Sequence, residues 1–99
     1  MTIDEELEFE WDAAKAASNV AKHGVTFEDA SYVFDDPMRL EESDRFSRDE
    51  YRGLCIGVVD GVLLTVVYAE PRELVIRIIS ARRATAHERK SYDASIFHP

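Results

Sequence analysis

The sequence predicts an α+β domain in which N-terminal helices pack on a small antiparallel β-sheet and another helix closes the chain. Three observations carry this prediction: capped helical segments in the first third, apolar strand segments around the Asp60-Gly61 turn, and a helix-start pattern at Thr85. A chain of 99 residues has room for one hydrophobic core. We therefore expect residues 1–99 to form a single domain.

A short strand and a helix are expected first. Leu7–Glu10 alternates apolar and acidic residues, which is typical of an edge strand protected by charge. Asp12 is expected to cap a helix from Ala13 to His23, which Gly24 ends. On this helix Asn19 falls largely off the packing side. The residues predicted to face the sheet are small: Ala13, Ala16 or Ala17, Val20 and Ala21.

A second helix is expected to begin at Thr26, with Asp29 three residues later as in a capping box. It should end before Asp36-Pro37, because a residue that precedes proline avoids helical geometry. Met38–Leu40 is a candidate short strand, and Glu41–Glu50 is expected to be a polar loop. The apolar stripe of the helix comprises Phe27, Ala30 and Phe34.

Three strands should follow. Tyr51–Val59 and Val62–Ala69 flank Asp60-Gly61, a strong signal for a two-residue hairpin. The second of these strands is apolar on both faces, so it should be central in the sheet. Glu70–Glu73 is expected to form a turn, and Leu74–Ser80 to pair back as the next strand.

The last helix is predicted from Thr85 and Glu88, which form a complete capping box, and should run to about Ser95. Because this helix is short and polar, it should not fully cover the sheet face opposite the first two helices, and the uncovered part is a candidate surface for a partner. Cys55 lies in an apolar strand and is interpreted as a buried structural thiol.

The charge distribution weighs against a nucleic-acid function but does not exclude it. The net charge is −8, whereas affinity for phosphate depends mainly on lysine and arginine. The two halves differ, since residues 1–50 hold 15 acids and 5 bases and residues 51–99 hold 5 acids and 7 bases. The local field around the late arginines can therefore be positive.

Several classes of site are excluded by the motifs. The chain has no glycine-rich phosphate loop, no GxSxG sequence, and no zinc-like spacing of cysteine and histidine. We expect no metal and no cofactor. The acidic N-terminus lacks the features of a secretory signal, and no apolar run approaches the length of a membrane span. We expect a cytoplasmic protein without a membrane partner.

The remaining side chains fit metal-free cleavage of RNA. That reaction needs a base for the 2′-hydroxyl proton, cationic donors for the developing charge on the phosphate, and an acid for the leaving oxygen. The candidate donors are Arg77, Arg82 and Arg83. His23 is the candidate acid or base, since an unperturbed histidine has a pKa of about 6.5. Further candidates are Lys22, Tyr68 and Glu70.

Each candidate also has a structural interpretation. Arg77 can face solvent or pair with a carboxylate, and charges just after a strand, such as Arg82 and Arg83, are commonly solvated. His23 lies at the end of a helix, where a cation favours the helix dipole. Tyr68 in an apolar strand is more often a core residue than an acid. From the residues alone, function stays open.

Two segments resemble the BrnT family. Its opening pattern is matched by Phe9–Ala30, FEWDAAKAASNVAKHGVTFEDA, and its closing pattern by Arg77–Arg89, RIISARRATAHER. Ile56-Gly57, Leu64 and Val66–Tyr68 between them also fit. The resemblance therefore spans nearly the whole chain in the right order.

The resemblance implies a ribonuclease toxin of a bacterial type II toxin–antitoxin module, with a RelE-like fold, that blocks translation without a metal. It also implies a BrnA-like antitoxin that binds DNA, masks the toxin and connects it indirectly to operator DNA. By position it points to Lys22 and His23, and to Arg77, Ser80 and Arg82. The alternative is an inactive binding module of the same fold that acts as a corepressor with the antitoxin.

Overall fold

The computed structural model describes residues 6–43 and 51–97. The elements are β1 (Glu8–Glu10), α1 (Ala13–His23), α2 (Phe27–Ser31), a 3-10 turn (Tyr32–Asp35), β2 (Leu40–Ser43), β3 (Tyr51–Val59), β4 (Val62–Arg72), β5 (Val75–Arg83) and α3 (Ala86–Phe97). The predicted order of helices and strands is confirmed. Most of the predicted polar loop, residues 44–50, lies outside the described residues.

The five strands form one sheet in the order β1-β5-β4-β3-β2. Neighbours pair antiparallel except β1, which runs parallel to β5 at the edge. The α+β class is confirmed, and the sheet is mixed rather than purely antiparallel. After β1 the chain passes through the helices to β2 at the opposite edge of the sheet and then returns strand by strand to β5. Because β1 and β5 are not joined by a hairpin, they can lie side by side in parallel.

Helix α1 has the predicted ends. Asp12 accepts a hydrogen bond from the Lys15 amide at 2.9 Å, and Gly24 ends the helix with φ of 70°. Its predicted packing side was right for Ala16, which packs against the core, but wrong for Val20, which is 44% exposed, whereas Asn19 is only 5% exposed. Asn19 is buried because its amide replaces a strand partner that β5 lacks there.

The Asn19 side chain makes three hydrogen bonds. Its Nδ2 donates to the carbonyls of Val25 at 3.0 Å and Ala81 at 2.8 Å, and its Oδ1 accepts from the Ala81 amide at 3.1 Å. Strand β1 pairs with β5 only at residues 75–77, so the outer backbone groups of Ala81 have no strand beside them. The side-chain amide satisfies those groups.

Helix α2 and the following 3-10 turn supply the main core. Thr26 accepts from the Asp29 amide at 3.0 Å, as the capping box predicted. The predicted stripe of Phe27, Ala30 and Phe34 is buried. This cluster packs on Cys55, Leu64, Val66, Tyr68, Ile76, Ile78 and Ala81. The helix-covered face of the sheet is the one that carries these residues. Burial raises the pKa of the Cys55 thiol to about 12, in agreement with a structural cysteine.

The two later turns differ in how well the sequence predicted them. Asp60 and Gly61, with φ of 48° and 79°, form the predicted hairpin turn. The second turn is shorter than expected, because β4 continues through Pro71 to Arg72. The reversal falls on Glu73-Leu74, where Leu74 takes a left-handed φ of 61°.

Helix α3 packs on the opposite face of the sheet, over Ile56 and Leu63. Its Tyr92 hydroxyl donates to Asp36 Oδ2 at 2.6 Å, and that carboxylate also accepts from the amides of Met38 and Val58. One acid therefore connects α3, the end of the N-terminal helical unit and β3. In the described residues no helix is long and apolar enough to cross a membrane.

Candidate functional site

The face of the sheet opposite α1 and α2, called the second face below, carries three rows of side chains. Strand register and alternation define the rows. The arginine row comprises Arg52, Ala69, Arg77 and Glu10. The central row comprises Glu42, Leu54, Val67 and Ser80. The third row comprises Leu40, Ile56, Thr65 and Arg82, and α3 packs against it.

Arg77 lies in the arginine row between the apolar residues Ile76 and Ile78, which point into the core on the other side. Its Nε donates to Glu10 Oε2 at 2.9 Å, and Arg72 holds the other carboxylate oxygen at 2.9 Å. The hydrogen bonds from Arg77 and then Arg72 lower the pKa of Glu10. Glu10 therefore orients Arg77 on the surface, and the Arg77 side chain is 40% exposed.

Arg82 is held by α3 through a bidentate pair. Its Nη1 and Nη2 donate to the two oxygens of Glu88 at 2.8 and 2.9 Å. This hydrogen bonding raises the pKa of Arg82 and, with the Thr85 amide and the Thr65 hydroxyl, lowers that of Glu88 to about 2. The catalytic role expected for Arg82 fits this geometry poorly, because its paired donors fasten α3 to β5.

The Lys22–Gly24 segment lies on the other side of the sheet. His23 lines a cavity of about 310 Å³ together with Arg83 and Asp60. Arg83 is opposite Leu64, a core residue of the helix-covered face, whereas Arg77 is on the second face. Lys22 is exposed at the end of α1. The structure therefore does not bring Lys22 and His23 together with Arg77.

Two other candidates lie on the helix-covered face. Tyr68 is 1% exposed, and its hydroxyl donates to Glu41 Oε1 at 3.2 Å. Burial raises its pKa, so Tyr68 is a core residue and offers substrate almost no surface. Glu70 is exposed and lines a different cavity with Phe34 and Arg39. Among the candidates on the second face, Ser80 shares the central row with Val67.

The match to a family model covers residues 11–88. This model describes the ribonuclease toxin BrnT of type II toxin–antitoxin systems. The chain belongs to the BrnT family. The matched residues include α1, α2, the 3-10 turn, β2–β5 and the start of α3 as far as Glu88. The predicted membership of the BrnT family is therefore confirmed.

A solved structure supports the fold of this BrnT-family chain. The crystal structure of the Brucella abortus ribonuclease toxin, BrnT, matches with a TM-score of 0.60 and 24% sequence identity. The match covers 80% of this chain and 97% of that toxin. A comparison with curated protein sequences finds no significant match.

Sequence reasoning missed two residues of the second face. Arg52 joins Arg77 in the arginine row, and Glu42 occupies the exposed end of the central row. The signal for Arg52 was its position in a strand between Tyr51 and Gly53, because neighbouring side chains in a strand point to opposite faces. The Cβ of any residue replacing Gly53 would lie 2.7 Å from the Tyr68 hydroxyl, so Gly53 faces the core and Arg52 faces away.

Within residues 6–43 and 51–97, no group of three His, Cys, Asp or Glu side chains is arranged to hold a metal ion. The second face instead presents guanidinium groups next to a half-buried apolar floor formed by Leu54 and Val67. Guanidinium groups bind phosphate through paired N–H donors, and apolar floors bind bases or ribose. The chemistry of this face is therefore suited to a single-stranded nucleic acid.

Proposed function

We propose that this BrnT-family chain is a metal-independent endoribonuclease that cleaves RNA on the second face of its sheet and thereby inhibits translation. The observation that carries the proposal is the position of Arg77, half-exposed beside the apolar floor and oriented by Glu10. A cation in this position can stabilise charge that develops on a phosphate.

The proposed chemistry is attack of a ribose 2′-hydroxyl on the adjacent phosphate, which forms a 2′,3′-cyclic phosphate as the P–O5′ bond breaks and the leaving 5′-oxygen takes a proton from water. Arg77 donates to the phosphate oxygens as their negative charge increases, and the Ser80 hydroxyl contacts the same backbone. Glu42, exposed in the central row, takes the proton of the 2′-hydroxyl. His23, Lys22 and Arg83 are assigned to substrate contacts outside this centre, because the sheet separates them from Arg77.

The proposed partner is a BrnA-like antitoxin that binds DNA. Membership of a type II toxin family supports an antitoxin, and the acidic first half of the chain suits a partner with a basic segment. Contact with operator DNA would then pass only through the antitoxin, since a chain of net charge −8 attracts DNA weakly.

Induced expression of the chain alone in a bacterium, with growth and RNA integrity followed together, tests the proposal. We expect growth arrest and cleaved RNA. The purified protein should cleave RNA equally in the presence of EDTA. Arg77→Ala should slow cleavage by about 10²–10³, the usual effect of removing a donor to developing negative charge.

Arg39→Ala is the matched control for Arg77→Ala. Arg39 is also a half-exposed arginine paired with a glutamate, Glu41 at 2.8 Å, but it lies near Phe34 on the helix-covered side. Its removal changes the net charge equally and should leave cleavage unchanged. Equal loss in both variants would contradict a site on the second face.

The alternative function is an inactive binding module that acts with the antitoxin as corepressor. The pairing of Arg77 with Glu10 and of Arg82 with Glu88 favours it, since both cations already have carboxylate partners. Normal growth and intact RNA, with folded protein present, would support this function and contradict the toxin proposal.

A further inference from the structure

Arg52 differs from the other arginines of the second face. Its Nε is buried and has no hydrogen-bond partner in the structure. By contrast, four arginines of the described residues form ion pairs with glutamates: Arg39, Arg72, Arg77 and Arg82. A buried donor without an acceptor is costly to a folded protein, so this N–H indicates a place for an absent acceptor.

The surroundings of Arg52 define that acceptor. Arg52 lies opposite Ala69, and Ala69 lies opposite Arg77, so the two arginines flank one small side chain. Directly opposed side chains are about 5 Å apart at Cβ, which places the two arginine Cβ atoms about 10 Å apart. Two long guanidinium side chains over one alanine can both reach an anion that lies above it.

The floor beside the arginine row favours RNA over an isolated anion. Leu54 and Val67 are half-buried apolar residues one row away, within reach of the base or ribose attached to a bound phosphate. Cations for one phosphate next to an apolar floor for its base or ribose match the chemistry of a single nucleotide. An acidic peptide would use the cations but gain little from this floor.

We propose that Arg52 is a phosphate-binding residue of the RNA site, which with Arg77 clamps one backbone phosphate over Ala69. This inference rests on the proposed function and adds to it a residue whose guanidinium group binds substrate. The free protein tolerates the unpaired Nε donor, and bound RNA supplies a phosphate acceptor to the guanidinium group of Arg52.

The test uses the full chain and a 2′-O-methyl oligoribonucleotide, which cannot be cleaved because its 2′-oxygen is blocked. Binding is measured by fluorescence anisotropy at several salt concentrations. Arg52→Met keeps the apolar stem without the donor, Arg52→Lys keeps the charge without the planar fork, and Arg39→Met is the matched control on the other face.

We expect Arg52→Met to bind the oligonucleotide about tenfold more weakly, with the salt slope smaller by about 0.7, the value for one lost phosphate contact on a single strand. Arg52→Lys should lose less affinity, and Arg39→Met should behave as the unchanged protein. The thermal unfolding midpoint of Arg52→Met should be unchanged or higher, because the variant removes an unpaired buried donor.

Three outcomes would overturn the inference: unchanged oligonucleotide binding in Arg52→Met, a lower unfolding midpoint that reveals a structural arginine, or stronger competition by poly-glutamate than by the oligonucleotide. The two proposals can also fail separately. The unchanged protein could cleave no RNA and yet bind the oligonucleotide, with this binding lost in Arg52→Met. The RNA-binding role of Arg52 would then hold while the proposed ribonuclease activity failed.

Discussion

Glu88 caps α3 and holds it to β5 with the same carboxylate. Its two oxygens accept from Arg82 at 2.8 and 2.9 Å, and Oε1 also accepts from the Thr85 amide at 2.8 Å. The side chain of Glu88 is only 16% exposed. A helix start that was predicted from a local pattern is thus also the contact that attaches the helix to the sheet.

Glu88→Gln should lower the free energy of unfolding by about 2–3 kcal/mol at pH 7, because a partly buried charged pair and one bond of the cap are both weakened. Urea unfolding measures this loss. Asp93→Asn, an exposed acid on the same helix, is the control and should change stability by less than about 0.5 kcal/mol.

The effect of Glu88 should depend on pH in a defined window. Its pKa falls from 4.5 to about 2 in the folded protein, so its contribution to stability is present above about pH 4.5 and is lost as pH falls towards 2. The stability difference between the unchanged protein and Glu88→Gln should therefore shrink over that window. A difference that stays constant down to pH 2 would contradict the pairing.

Asn19→Ala should destabilise the protein by about 3 kcal/mol. The substitution leaves the Ala81 amide and carbonyl and the Val25 carbonyl without their partner, and each buried unpaired group costs about 1–3 kcal/mol. The neighbouring Val20→Ala is the control, since Val20 is exposed and should change stability by about 0.5 kcal/mol or less. An equal loss of stability in Asn19→Ala and Val20→Ala would contradict the buried role of Asn19.

Tyr92→Phe should lower the free energy of unfolding by about 1–2 kcal/mol, because it removes the 2.6 Å hydrogen bond to Asp36 and keeps the ring. Burial would raise the pKa of Asp36, but the hydrogen bonds from Tyr92, Val58 and Met38 lower it. Chemical denaturation at pH 7 gives the comparison. Tyr32→Phe, on an exposed ring, is the control.

Tyr92 should also be visible in an alkaline titration. Burial and then the Asp36 carboxylate raise its pKa from 10.0 to about 12, so its contribution to stability is complete below pH 10 and is lost as pH rises through 12. Tyrosinate absorbance should include one group that titrates near pH 12 and disappears in Tyr92→Phe. Persistence of that group in the variant would contradict the assignment.

The two faces of the sheet can be distinguished by single-turnover cleavage rates. Under the proposed mechanism Glu42→Gln should reduce the rate by about 10²-fold or more, because it removes the proposed general base. His23→Ala should change it less than about threefold, since His23 lies at a cavity on the other side. The opposite ranking would place the chemistry at the His23–Arg83 cavity instead of the second face.

Local patterns determined most of the secondary structure. Asp12, Thr26 and the Thr85–Glu88 pair predicted helix starts correctly, because capping depends on side chains within three residues of one another. The Asp60-Gly61 turn was predicted for the same reason. The family was also predictable, since its two motifs are continuous in sequence.

The tertiary structure alone decided which predicted side chains meet. Strand register and helix placement assign His23 and Arg77 to opposite faces. They place Arg52 in one row with Arg77, on either side of Ala69, although the two arginines are 25 positions apart in the sequence. They also bury Asn19 against Ala81, because β1 is too short to cover the edge of β5. The sequence by itself determined the elements and the family, whereas the pairing of strands decided which candidate side chains share a face, because faces are set by contacts between residues far apart in the chain.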